Sequence, residues 1–126
     1  MSKLGRLKKR AEFLRLAGTG RKAASPGLIL QAAPRPLEGG VFDSPPEDQP
    51  LRIGFTCSRK VGNAVARNRA KRRLRAVAQA VLGPKAREDY DFVIIGRQET
   101  LKRPFALLLQ DLLGSLKRVG ALKDQI

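Results

Sequence analysis

Ser58-Arg59-Lys60-Val61-Gly62-Asn63-Ala64-Val65-Ala66-Arg67-Asn68-Arg69-Ala70-Lys71-Arg72-Arg73-Leu74-Arg75 is the stretch from which the rest of the chain can be read. Its spacing predicts a helix from near Asn63 to Leu82, ended by Gly83-Pro84. On a helical wheel Ala66, Ala70, Leu74, Val77 and Val81 share an arc of about 80°, a stripe suited to a core. Arg67, Lys71 and Arg75 line one flank at four-residue spacing, and Asn68, Arg69, Arg72 and Arg73 continue round the other side. Six cations lie in the nine residues from Arg67 to Arg75, and no Asp or Glu occurs from residue 49 to residue 87. Like charges four apart on a helix cost a few tenths of a kcal/mol each, and the Glu–Lys pairs that normally offset them are missing. A phosphate backbone would supply the absent anions, and the planar fork of Arg suits phosphate oxygens. Just ahead, Gly62 fits a turn and Asn63 a helix cap. Arg59 and Lys60 then fall beside a helix N-terminus, whose amides also favour phosphate.

Outward from this helix the pattern alternates between sheet and helix. Leu51 to Ser58 reads as a strand, with Ile53, Phe55 and Cys57 alternating against Arg52, Gly54 and Thr56. Leu28 to Ala33 reads as another after the Pro26-Gly27 turn, and Phe92-Val93-Ile94-Ile95 as a short buried strand within Asp91 to Gly96. Ala11, Phe13, Leu14, Leu16 and Ala17 predict a short first helix stopped by Gly18 and Gly20. Pro104 can open a last helix through Leu107, Leu108, Leu112, Leu116 and Val119. Residues 1–8 read as a basic N-terminal arm. Residues 34–50, with five prolines and four acids, read as a loop too proline-rich for a sheet interior. The expected order is α-β-β-(β)-α-β-α, the bracketed strand being a short one near Arg21 to Ala24. The class is α+β: one domain over 1–126, an α/β sandwich on a mostly antiparallel sheet of about four strands. No internal repeat is visible.

Composition narrows the function. The 126 residues hold 26 Lys+Arg against 11 Asp+Glu, a net charge of +15. A small body so charged attracts polyanions, nucleic acid before membrane. The longest apolar run, Phe105 to Leu109, is too short to span a bilayer, and Met1 to Arg10 has no apolar stretch behind it, so neither membrane insertion nor a signal peptide is expected. A single cysteine, Cys57, permits no internal disulfide, reads as a small buried side chain and fits a cytoplasmic setting. A protein nuclease needs a general base or a metal site. The chain has no His, and Glu88, Asp89 and Asp91 read as a solvated turn. No catalytic residue, no metal ligand and no small-molecule substrate is expected.

The quoted stretch closely resembles the signature of the bacterial ribonuclease P protein family, Lys-(Val/Ile)-Gly-x-Ala-Val-x-Arg-Asn-Arg-x-(Lys/Arg)-Arg-x-x-Arg. Arg6-Leu7-Lys8-Lys9, Glu12-Phe13 and Phe92 to Arg97 resemble it as well. The resemblance implies an α/β sandwich with a left-handed βαβ crossover. It implies two partners, the catalytic RNA subunit of ribonuclease P and precursor tRNA, and Mg²⁺ held through the RNA rather than by the protein. The RNA surface it implies comprises Arg59, Lys60, Arg67, Asn68, Arg69, Lys71, Arg72, Arg73 and Arg75, with Arg67, Asn68, Lys71 and Arg75 nearest the RNA junction. A cleft between the first helix and the sheet would take the 5′ leader of precursor tRNA, lined by Phe13, Ala17, Ile29, Gln31 and Thr56. Some relatives carry aromatics at the positions of Ala17 and Gln31. Stacking a base on an aromatic is worth about 1–3 kcal/mol, so leader binding here should lean on charge and polar contacts. The alternative is a ribosomal or assembly protein that binds RNA without a reaction, and the Arg67-Asn68-Arg69 context argues against it. A DNA-binding role lacks a helix-turn-helix or zinc pattern.

Overall fold

Leu28, Leu30 and Ala32 alternate along one strand with Ile29, Gln31 and Ala33, and the two sets serve different layers of the protein. The computed structural model describes residues 4–7, 9–34 and 51–123. Its elements are β1 (Leu4–Arg6), α1 (Arg10–Thr19), β2 (Arg21–Ala24), β3 (Leu28–Pro34), β4 (Leu51–Thr56), α2 (Ala64–Lys85), β5 (Tyr90–Gly96), a 3₁₀ turn (Gln98–Thr100) and α3 (Phe105–Arg118). The first set packs with Leu51, Ile53, Phe92 and Ile94 beneath α2 and α3. On the other face Ala33 and Val93 meet Leu16 of α1 and Leu7. The result is helices on both faces of one sheet.

The sheet corrects the expectation of about four mostly antiparallel strands. Five strands run in the order β1-β4-β5-β3-β2. β1·β4 and β4·β5 are parallel, whereas β5·β3 and β3·β2 are antiparallel. Parallel neighbours need a crossover connection, and α2 supplies it between β4 and β5. The short strand expected near Arg21 is β2. β1 was not foreseen: it lies in the stretch read as a basic arm, and three residues, Leu-Gly-Arg, are too few to show alternation. Residues 35–50 of the proline-rich loop lie outside the described residues.

A second correction concerns the end of α2. The helix does not stop at Gly83-Pro84 but continues to Lys85. A proline in the last turn forfeits one N–H bond. The segment after α3 secures this end instead, with Arg87 N–H donating to Ala121 O at 2.8 Å and Lys123 N–H to Lys85 O at 2.7 Å.

The two faces are held differently. Under α2 and α3 the packing is aliphatic, with Leu28, Leu30, Leu74, Val77, Phe92, Ile94, Leu108 and Leu112 fully buried. Each such side chain contributes about 1.5–3 kcal/mol. Under α1 only a small apolar cluster forms, and ionic contacts complete it. Asp91, fully buried on β5, receives Arg52 of β4 at 2.9 and 2.6 Å and Arg15 of α1 at 2.5 Å. Glu12 of α1 lies 3.4 Å from Arg52. α1 is thus tied by charge to the two parallel strands.

Asp91→Ala should therefore destabilise the protein by about 2–3 kcal/mol. That is below the usual cost of breaking a buried pair, because Arg52 keeps Glu12, Arg15 keeps Pro34 O, and both side chains reach the surface. Arg15→Ala, which leaves Asp91 its Arg52 fork, should cost about 1 kcal/mol. Urea midpoints measure both, and equal losses would contradict the shared-anion arrangement.

Candidate nucleic-acid interface

α2 begins where a glycine turn and an asparagine cap coincide. Gly62 has φ +149°, a region that side chains disfavour. The Asn63 side chain accepts from Ala66 N–H at 2.9 Å. From there Ala70, Leu74, Val77, Ala78, Val81 and Leu82 face the core and Ala66 is half-buried, so the apolar stripe read on the wheel is the packed face. The cations occupy the remainder. Among the described residues no carboxylate pairs with any cation between Arg59 and Arg75.

The cationic side chains do not behave alike. Arg59, Lys60, Asn68, Arg69, Arg72 and Arg75 are exposed, and Lys71 is half-buried. Arg67 is half-buried, its Nη1 donating to Gly62 O at 3.3 Å, so it also braces the turn before the helix. The Arg75 guanidinium sits 5.9 Å from the centre of the Phe55 ring. Arg73 turns inward. It donates to Thr100 O at 2.6 Å, Leu101 O at 2.9 Å and Arg103 O at 2.6 Å, clamping the turn before α3. Arg73 thus has an internal task that its place in a cationic run did not reveal.

Strand register places the cleft residues. Thr56, Ile95 and Ile29 form one row across β4, β5 and β3; Gly54, Val93 and Gln31 form the next, and Arg52, Asp91 and Ala33 a third. α1 covers the third row and part of the second. A Cβ on Gly54 would overlap the Phe13 ring, so only glycine lets this aromatic seat on the sheet. Leu16 packs with Ala33 and Val93. The first row is left half-open, with Ile29, Thr56 and Ile95 all partly exposed. Of the expected cleft residues, Ile29 and Thr56 line this opening, Gln31 is 5% exposed in the row behind it, Ala17 is exposed on α1, and Phe13 is half-buried against Gly54. Ile95 was missed: it belongs to a run that reads as wholly buried, and only its register exposes it. Arg75 over Phe55 puts the cationic flank of α2 against β4 on the sheet face opposite Thr56, so the basic helix and the half-open row lie on the two sides of the same strand.

Glu88 and Asp89 form the partly exposed turn that was expected between α2 and β5, but Asp91 does not belong to it. Asp91 is buried under α1, Asp89 pairs with Arg87 at 3.1 Å, and Glu88 pairs with Lys123 at 3.4 Å. No group of three Cys, Asp or Glu among the described residues is placed to hold a metal ion. Burial pushes the Cys57 thiol above its ordinary pKa, partly offset by Lys71, the Gly96 backbone and Arg67, so at neutral pH the sulfur stays a protonated, weak nucleophile. No described helix is long and apolar enough to cross a membrane.

A capped helix whose basic face has no carboxylate partner among the described residues, on a sheet whose other face is half-open, defines a nucleic-acid-binding α/β protein. The chain belongs to the ribonuclease P protein family: the Ribonuclease P family model matches residues 1–120. It is 57% identical over 122 residues to the ribonuclease P protein component of Paramagnetospirillum magneticum, covering 97% of this chain and 87% of that protein. It is 48% identical over 115 residues to that of Gluconacetobacter diazotrophicus, covering 91% and 90%. The fold matches the Staphylococcus aureus RNase P protein with a TM-score of 0.70 at 24% identity, covering 96% of this chain and all of that one. It matches the Thermotoga maritima RNase P protein with the same score and identity, covering 92% and 98%. Membership makes the chain a protein subunit of ribonuclease P, an RNA-binding component of a tRNA-processing endonuclease.

The division of tasks along α2 is measurable. Arg72→Ala should weaken RNA binding and reduce the slope of log K against log salt by about 0.7–0.9, the value of one phosphate contact. Arg67→Ala should lower the slope as well, with some loss of stability from the freed turn. Arg73→Ala should cost about 1–3 kcal/mol of stability, because it strips partners from three carbonyls, and leave the slope unchanged. Salt titrations and thermal melts on the same proteins read both quantities. A slope lowered by Arg73→Ala, or untouched by the other two, would put the RNA on a different face.

Proposed function

We propose that the exposed cations of α2, with Arg59 and Lys60 before it, dock the catalytic RNA subunit. The row Thr56, Ile95 and Ile29 then takes the 5′ leader of precursor tRNA. The protein thereby assists endonucleolytic removal of the leader and formation of the mature tRNA 5′ end. The observation that carries this reading is that, among the described residues, the α2 cations have no carboxylate partner, while α1 leaves the other face of the same sheet half-open. Exposed cations in that density repel one another and gain most from a polyanion.

Chemistry at the phosphodiester is assigned in this proposal to the RNA, together with the Mg²⁺ it requires. Among the described residues Glu12, Glu88, Asp89, Asp91 and Asp111 are each paired with Arg or Lys, and no three acids are grouped to hold a divalent ion. The protein's share is positive charge: it offsets the mutual repulsion of two RNAs and so lowers the Mg²⁺ needed to bring them together. The left-handed sense of the β4–α2–β5 crossover and a cytoplasmic setting go with the same family reading. Leader binding rests on charge and polar groups. The cleft offers Ala17 and Gln31 where an aromatic could stack, and the Phe13 ring is engaged with Gly54.

The purified protein, mixed with catalytic RNA and precursor tRNA at low Mg²⁺, should release the 5′ leader far faster than the RNA alone, with the advantage shrinking as Mg²⁺ rises. Absence of stimulation at any Mg²⁺ concentration would defeat this reading. Leaders of varied sequence should differ little in affinity, and all should weaken with salt. A strong base preference that resists salt would instead point to base readout.

A further inference from the structure

The sheet does not end at the leader cleft. β2 pairs with β3 so that Ala24 lies opposite Ile29 and Lys22 opposite Gln31. Ala23, between them, is buried beneath α3, so Lys22 and Ala24 belong to the same face as the cleft. Arg21 belongs to the other face, its Nη1 donating to Val119 O at 3.5 Å. The row that starts at Thr56 therefore runs through Ile95 and Ile29 to Ala24. The row behind it runs from Gly54 through Val93 and Gln31 to Lys22. Lys22 is exposed and makes no ion pair or side-chain hydrogen bond among the described residues.

We propose that Lys22 is a further substrate-binding residue, holding a phosphate of leader nucleotides distal to the cleavage point as they leave the cleft over the β2 edge. The inference rests on the leader-cleft reading and extends it. From β4 to β2 the path crosses three strand spacings of about 4.8 Å, roughly 14 Å in all. A single strand entering this row at β4 crosses an apolar floor of Ile95 and Ile29. Two cations stand past that floor: Arg97, exposed after β5 and committed through Nη1 to Ser25 O at 2.8 Å, and, in the row behind Ala24, Lys22, whose ammonium has no partner among the described residues. The Lys22 charge falls where the next backbone phosphate leaves the protein, and an ammonium group grips phosphate as a point charge without base preference. The competing role for an edge-strand lysine is to block pairing with another sheet, and it makes no demand on leader length.

The test uses holoenzyme reconstituted with catalytic RNA and precursor tRNAs whose leaders lengthen one nucleotide at a time. Wild-type affinity should rise with leader length and then level off. Lys22→Ala should match wild type for short leaders and bind about threefold more weakly once the leader reaches β2. Its salt slope should then be about 0.7 smaller for long leaders alone, the single-strand value for one phosphate. Lys22→Arg should restore both. If wild type gains affinity with length and Lys22→Ala follows it at every length, the Lys22 assignment falls and the cleft reading stands. A uniform loss at all lengths also overturns the assignment. If wild-type affinity ignores leader length altogether, the cleft reading and the Lys22 assignment fall together.

Discussion

Burial of one stripe on α2 is the constraint on which the molecule depends. Arg67, Lys71 and Arg75 repeat at four-residue spacing, and each like-charge step costs a few tenths of a kcal/mol. Against this, Leu74 and Val77 are fully buried and Val81 nearly so, each contributing about 1.5–3 kcal/mol. Packing wins by several-fold, so the helix survives a charge density that would loosen it in isolation. The packing also sets direction: with the stripe on the sheet, the cations can face only outward or along the two flanks. α2 is also the crossover between parallel β4 and β5, so the same burial fixes the strands that carry the cleft.

Once α2 and α3 have claimed one face of the sheet, the other is left to α1, a ten-residue helix with few apolar side chains to offer. Charge completes its attachment. Asp91 gathers Arg15 and Arg52, and Phe13 settles on the bare backbone of Gly54. Both contacts lie toward one end of the strands, which is why α1 covers Ala33 and leaves Ile29, Ile95 and Thr56 partly open. The cleft follows from how little α1 can bury. A longer or more apolar first helix would close over the whole face and remove the opening proposed for the leader.

Local periodicity made α2, β3, β4, β5 and α3 legible, since each is long enough for alternation or helical spacing to show. β1 was not legible, because Leu4–Arg6 gains its strand character from pairing with Leu51 to Ile53, a partner nearly fifty residues away in the chain. The parallel sense of β4 and β5 was hidden for the same reason: alternation reports a strand's faces and says nothing of its neighbour's direction. Gly83-Pro84 was misread as a stop because the tie from Arg87 and Lys123 to the C-terminal segment is tertiary. At the site, the wheel located the basic face but could not separate Arg73 from Arg72. Adjacent in sequence and alike in chemistry, they differ in that one reaches three carbonyls of the turn before α3 while the other is exposed and has no side-chain partner among the described residues.

That difference bears on how such a subunit tolerates its own charge. Among the described residues, the acids that pair do so with Arg15, Arg52, Arg87, Arg103 or Lys123, all outside the α2 face. Where a cation of α2 is needed for structure, backbone carbonyls serve in place of carboxylates, as Arg73 and Arg67 show. A carbonyl satisfies a guanidinium without cancelling its charge, so the field over the helix is preserved while the loops beneath it are held. A carboxylate in either place would cancel a unit of positive charge on the helix and weaken its attraction for a polyanion. Among the described residues the α2 cations are thus left without carboxylate partners, which keeps their charge available to the RNA surface proposed for this helix.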